Sequence, residues 1–142
     1  MKVIDAVAQI LKTEGIEWAG CFPSNELIES VAKVGINPVM FRQERGAAMA
    51  VDGFSRMRNR EEFGVLITQG GPGSENTMGG LAPAYADNVP ILYLPGGPAV
   101  SSRSVAPNFS PARTYASVSV SAEVIFQPDQ VGDVMRLSLI HI

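Results

Sequence analysis

The chain is short of most residues that build metal centres, disulfides and nucleic-acid surfaces. Among 142 residues it has one cysteine, Cys21, and one histidine, His141. A single thiol closes no internal disulfide, and Cys21 sits in an apolar run where a buried thiol behaves as a small hydrophobe. Charged residues make up 18% of the chain and the net charge is −3. The Lys and Arg residues are scattered, so nucleic acid is not an expected partner. No apolar run approaches the ~18 residues of a membrane span, and Met1–Asp5 lacks the apolar core of a secretory signal. Together these absences lead to the expectation of a protein in a reducing cytoplasm, away from membranes. There is no internal repeat and no low-complexity tract.

What is present is a loop-rich α/β composition, with 46% hydrophobic residues, 14 Gly and 10 Pro, and a length sufficient for one domain with a real core. Val3, Ala6, Val7, Ile10 and Leu11 recur at helical spacing up to Thr13, and Gly15 supplies a stop. Trp18–Phe22 reads as a buried strand ended by Pro23. Ser24 is placed to cap a helix whose inner face is Leu27, Ile28, Val31 and Ala32, closed by Gly35. Pro38–Phe41 is the next strand. A helix follows it, then a charged turn over Asn59–Glu62 and an apolar run, Phe63–Thr68, of the kind found in central parallel strands. Ile91–Leu94 is a further strand, Val118–Val124 a candidate last one, and Asp129–Arg136 starts a final amphipathic helix. Strands alternating with helices at this pitch predict a single-domain, doubly wound parallel sheet. In such sheets ligands bind beyond the carboxyl ends of the strands. Pro23-Ser24, Gln43-Glu44 and Gln69-Gly70-Gly71 each follow a strand, so they are expected on one edge.

Two stretches stand out. In the helix that starts at Glu44, residues Gly46, Ala50, Gly53 and Met57 share one face, three of them tiny. Glycine within a helix costs roughly 1 kcal/mol against alanine. The usual reason for accepting that cost is close approach of another backbone or a flat ligand. Glu44 stands at the rim of that face, and spacing alone leaves open whether it is a functional acid or one that merely complements the helix dipole. The second stretch is Gln69-Gly70-Gly71-Pro72-Gly73-Ser74-Glu75-Asn76. Pro72-Gly73 suits the centre of a type II turn, and Ser74 or Asn76 is placed to open the next helix. A glycine-rich turn before a helix also cradles phosphate in some folds. Here no lysine follows in P-loop spacing and the dinucleotide glycine pattern is missing.

Glu44-Arg45-Gly46-Ala47, followed by Asp52-Gly53-Phe54, resembles a pattern of the pyrimidine-binding (N-terminal) domain of thiamine diphosphate-dependent enzymes. The similar group is that of acetohydroxyacid synthases and benzoylformate and pyruvate decarboxylases. Gly71-Pro72-Gly73 with Asn76, and Ala84-Tyr85-Ala86-Asp87 with Pro90, resemble further segments of the family. Pro23-Ser24-Asn25-Glu26-Leu27 looks like its loop after the first strand. The likeness covers about residues 3 to 135. Departures are Gln43 for histidine, Val51 for alanine, no glycine after Pro23, Gly96-Gly97 for Gly-Gln, and Pro83, which predicts a kinked or interrupted helix.

The resemblance implies thiamine diphosphate as cofactor. Glu44 matches the family's catalytic glutamate, which hydrogen-bonds a ring nitrogen of the aminopyrimidine and favours the imino tautomer that removes the C2 proton. Pro23, Gly71, Pro72 and Asn76 match cofactor-lining positions, and Ser24 and Gln69 match positions that face the substrate in some relatives. The family's diphosphate-binding domain and its magnesium motif have no counterpart here, so no metal ligand is expected in this chain. The cofactor would lie between it and the diphosphate domain of another subunit in a homo-oligomer. Arg103 and Arg113 fall in a region near the subunit contact in relatives, although a solvated role is the simpler one. Residues 1–136 are thus expected to be the pyrimidine domain. Residues 137–142, with His141, read as an atypical tail from truncation or mistranslation and carry no catalytic weight. The implied function is the N-terminal part of a 2-oxo acid decarboxylase or an acetohydroxyacid synthase-like carboligase, inactive alone. The alternatives are a stand-alone pyrimidine-domain subunit of a split decarboxylase and a noncatalytic nucleotide-binding α/β module. The second small-residue pair, Gly79-Gly80, is expected to join the Glu44 helix at a subunit or domain contact.

Overall fold

Four short apolar runs become β1 (Trp18–Cys21), β2 (Asn37–Met40), β3 (Gly64–Thr68) and β4 (Ile91–Pro95). In this computed structural model, which describes residues 1–59, 61–102, 105–106 and 109–142, they form one sheet in the order β2-β1-β3-β4. Every pairing is parallel. The chain runs outward from β1 to β2, then crosses back to β3 and on to β4, so the order reverses between β1 and β3. That reversal is the switch point of a doubly wound sheet.

Helices cover both faces, as the period-2 alternation of a strand requires. On one face α1 (Val3–Thr13), α2 (Leu27–Lys33) and α6 (Val131–Ile140) bury Leu11, Val31 and Met135 against Ala19, Cys21, Val65, Ile67 and Leu92. On the other, α3 (Glu44–Met57), α4 (Pro72–Ala86) and α5 (Pro111–Tyr115) bury Ala47, Ala48, Val51, Leu81 and Tyr115 around Leu66. Gly15 and Gly35 end α1 and α2 at φ of +81° and +80°, a conformation that costs glycine nothing.

The face of α3 turned to the sheet is small. Glu44, Ala47, Ala48, Val51 and Ser55 are its buried residues. Val51 fits because two strand glycines make room. A Cβ on Gly20 would lie 2.8 Å from Val51 Cγ1, and one on Gly64 would lie 2.6 Å from both Val51 Cβ and the Val51 carbonyl oxygen. Ser55 pins the same helix to the sheet. Its hydroxyl donates to Pro90 O at 2.7 Å and accepts from the Gly64 N–H at 2.8 Å. Arg56 ties α3 to the far end of α4 through Asp87, at 2.8 Å.

Several expectations change here. Gly80 is not an outward contact: a Cβ there would lie 2.6 Å from Ala48 Cβ, so that glycine lets α3 and α4 approach within this chain. Gly46, Ala50 and Gly53 are only half-buried and Met57 is 85% exposed, so the other small-residue face is open. The expected interruption at Pro83 does not occur: α4 continues through it to Ala86. Val118–Val124 forms no strand. Val118 packs on the α3–α4 side and Ile125 on the α1–α2 side, so this segment passes from one face to the other with Val120 71% exposed. The last helix runs on through Leu137–Ile140. Of the charged turn and the arginine pair, Arg60 and Arg103 lie outside the described residues, and Arg113 is exposed on α5.

Gly20→Ala should destabilise the chain by about 1–3 kcal/mol through overpacking, and most of that cost should vanish in a Val51→Ala background, because a terminal methyl is the obstruction. Gly64→Ala should not be rescued in this way, since the Val51 carbonyl also stands in its path. Urea unfolding of the single and double variants checks this; an equal cost of Gly20→Ala in both backgrounds would refute the interlock.

Candidate active site

Pro23 follows β1, Glu44 follows β2 and Gly71 follows β3, so the parallel sheet puts all three at its carboxyl edge. Glu44 starts α3 and is only 5% exposed. Asn76 Nδ2 donates to Glu44 Oε2 at 3.1 Å. Oε1 accepts no hydrogen bond among the described residues. It nevertheless keeps a path to solvent, because none of their sealed side-chain oxygens lacks a partner. A Cβ on Gly73 would lie 3.0 Å from Oε1 and 2.9 Å from Gln69 Cβ. The bare backbone of Gly73 is therefore what leaves the carboxyl group room. Gly73 was legible as part of Gly71-Pro72-Gly73, but nothing local indicated that Glu44 is what it accommodates.

The turn into α4 differs from the expected one. Positive φ falls on Gly71, at φ 59° and ψ −117°, and Pro72 already occupies the first turn of the helix. Proline fits there because that position needs no N–H donor. Pro72 and Gln69 are exposed at the edge. Ser74 does not open the helix but is buried within it. Ser74 O accepts hydrogen bonds from the hydroxyls of Tyr115 and Thr77, and those two hydroxyls also contact each other. Tyr115 stacks edge-on against Tyr93 at 5.3 Å between ring centres, and the Tyr93 hydroxyl lies 2.8 Å from Thr68 Oγ1. A residue from beyond the long β4–α5 loop thus clamps the first turn of the helix that carries Gly73 and Asn76. Its separation in sequence hid that role.

On the other side of the switch point, Ser24 does not cap α2. Asn25 does so, its Oδ1 accepting from the Leu27 N–H at 3.0 Å. Pro23 and Ser24 are exposed and held through Asn25, without a direct bond to Glu44. Cys21 lies beneath them, and burial pushes its thiol from 9.0 up to about 12. Two surface depressions, between α1 and α6 and beside Tyr85 and His141, are remote from Glu44. Among the described residues no three His, Cys, Asp or Glu side chains gather to hold a metal, and no helix is long and apolar enough to cross a membrane.

A family model described as "Thiamine pyrophosphate enzyme, N-terminal TPP binding domain" matches residues 1–123. The chain belongs to this family. Membership carries with it thiamine diphosphate as the cofactor class. Among curated proteins, the chain is 43% identical to an acetolactate synthase of Arthrospira platensis over 98 residues, 64% of this chain and 17% of the relative. It is 27% identical to the acetolactate synthase large subunit of Lactococcus lactis subsp. lactis over 137 residues, 92% of this chain and 23% of that one. It is also 30% identical to the acetolactate synthase isozyme 3 large subunit of Escherichia coli, over 68% of this chain and 17% of the relative. The chain thus spans less than a quarter of the length of these relatives.

Burial raises the Tyr115 hydroxyl from 10.0 to about 12. The unfolded chain releases this proton first, so the stabilisation is full below 10.0 and is lost as pH rises towards 12. Cys21 acts with the same sign from 9.0 upward. The chain should therefore weaken progressively in this alkaline range, and Tyr115→Phe should flatten the part above 10.0. Urea unfolding as a function of pH tests this; an unchanged profile in Tyr115→Phe would remove Tyr115 as a cause.

Proposed function

We propose that this chain is the cofactor-activating, N-terminal part of a cytoplasmic thiamine diphosphate-dependent enzyme, an acetohydroxyacid synthase-like carboligase or 2-oxo acid decarboxylase, with Glu44 as its catalytic residue. The observation that carries the reading is the Glu44 carboxyl group. It is buried at the carboxyl edge, held at Oε2 by Asn76 and, among the described residues, left without a partner at Oε1 beside the bare backbone of Gly73.

The residues present fit the aminopyrimidine end of the cofactor. Gly73 leaves space against Oε1 that any side chain would fill. Pro23, Gly71 and Pro72, small or stiff residues at the same edge, would line it, and Asn76 would work through Glu44. When bound, the cofactor supplies a nucleophilic carbon, C2 of its thiazolium ring, and the protein orients and tunes it. Glu44 Oε1 would exchange a proton with a ring nitrogen of the pyrimidine, while Asn76 fixes the carboxyl plane by occupying the other oxygen. Ser24 and Gln69, exposed on either side of the switch point, would face a 2-oxo acid. The diphosphate and its magnesium would be held by a diphosphate-binding domain of another subunit in a homo-oligomer, and this chain would be inactive alone. The open Gly46-Ala50-Gly53 face and the relatives' much greater length support that division of labour.

Glu44→Gln in the complete enzyme should slow exchange of the cofactor C2 proton for deuterium by about 10²–10⁴-fold, the usual range for a general acid–base group. The amide keeps the shape but cannot pass the proton on. Acid-quenched NMR reads the exchange and circular dichroism confirms the fold. Wild-type exchange in a folded, cofactor-saturated variant would leave Glu44 as a plain helix-start acid.

A further inference from the structure

Asn25 makes contacts that a simple helix cap does not need. While Oδ1 accepts from the Leu27 N–H at 3.0 Å, Nδ2 donates to Thr68 O at 2.8 Å and to Leu94 O at 3.3 Å. One side chain therefore joins the start of α2 to the carboxyl ends of β3 and β4. The amide orientation is unambiguous, since the opposite one would set an oxygen against two carbonyls. Thr68 O also accepts from the Gly96 N–H at 3.0 Å, and Phe22 N–H donates to Ile67 O at 3.0 Å. The residue just before Asn25, Ser24, has φ of +73°. Such a conformation is unfavourable for a serine and persists only where its surroundings enforce it.

We propose that Asn25 is a positioning residue: its carboxamide locks the strained Pro23–Ser24 loop across the ends of β3 and β4, and so presets the edge that carries Ser24 and Gln69. That this edge reads a 2-oxo acid rests on the function proposed above; the lock itself does not. The site edge is then organised before any partner domain or cofactor arrives. The loop bond is made to strand carbonyls rather than to Glu44, so the lock governs how substrate is received and leaves the proton chemistry at Glu44 untouched.

Two measurements test it. In the 142-residue chain, amide hydrogen exchange by NMR should show Phe22 and Gly96 exchanging about tenfold faster or more in Asn25→Ala, with the α1 amides unchanged. In the complete enzyme the same substitution should raise KM for a 2-oxo acid by about tenfold while kcat stays within about twofold, and C2 proton exchange should keep its wild-type rate. If Asn25→Ala does not fold, Ser24→Gly/Asn25→Ala should, because glycine accepts the loop conformation without strain. Unchanged Phe22 and Gly96 exchange, or a double variant that stays unfolded, overturns the lock. A joint fall of kcat and C2 exchange overturns the separation from Glu44. A wild-type enzyme without C2 exchange overturns the proposed function instead, and the lock is then decided by the amide rates.

Discussion

Two helices approach closely only where side chains are missing between them, and the site at the carboxyl edge depends on that constraint. Along α4, Gly73, Thr77, Gly80 and Ala84 are buried on one face. Along α3, Glu44 and Ala48 meet that face. Gly80 admits Ala48, and one face further along Gly73 admits the Glu44 carboxyl. A larger residue at either glycine would part the helices, and Asn76 would lose its 3.1 Å bond to Glu44. The acid is placed by subtraction of neighbours as much as by its hydrogen bond from Asn76.

The same economy runs through the sheet. Gly20 and Gly64 receive Val51, and Ser55 anchors the helix at the opposite end. A β-branched side chain with one preferred rotamer fills that slot more rigidly than alanine would. Around this frame, two side chains hold the edge from different sides: Tyr115 clamps the first turn of α4, and Asn25 joins the β1–α2 loop to β3 and β4. Both act on strand or helix ends, where backbone groups would otherwise lack partners.

The open face of α3 gives the fold its second character. Gly46, Ala50 and Gly53 are only half-buried, whereas Gly80 is buried against Ala48. A Cβ on Gly53 would meet nothing within 4 Å. In a family whose members named here are four or more times longer than this chain, a helix with one face buried and the other bare is suited to further contacts along the line that starts at Glu44.

Local pattern sufficed for much of this. Strand and helix order, the all-parallel sheet and the convergence of Pro23, Glu44 and Gly71 on one edge all follow from periodicity and stop signals read in order. Those features are encoded within a few residues of where they act, so they survive translation into three dimensions. Partner choice is not encoded that way. That Gly80 serves Ala48 while Gly53 meets none of the described residues, that Gly71 rather than Gly73 takes positive φ, and that Asn25 rather than Ser24 caps α2 depend on backbone positions set by distant elements. The Val118–Val124 alternation looked like a strand, yet its ends were claimed by opposite faces of the sheet and no ladder formed. Tyr115 lies 38 residues from Thr77, and only the folded chain brings its hydroxyl to the helix that positions Glu44, because contacts over such separations are decided by packing geometry rather than by sequence spacing.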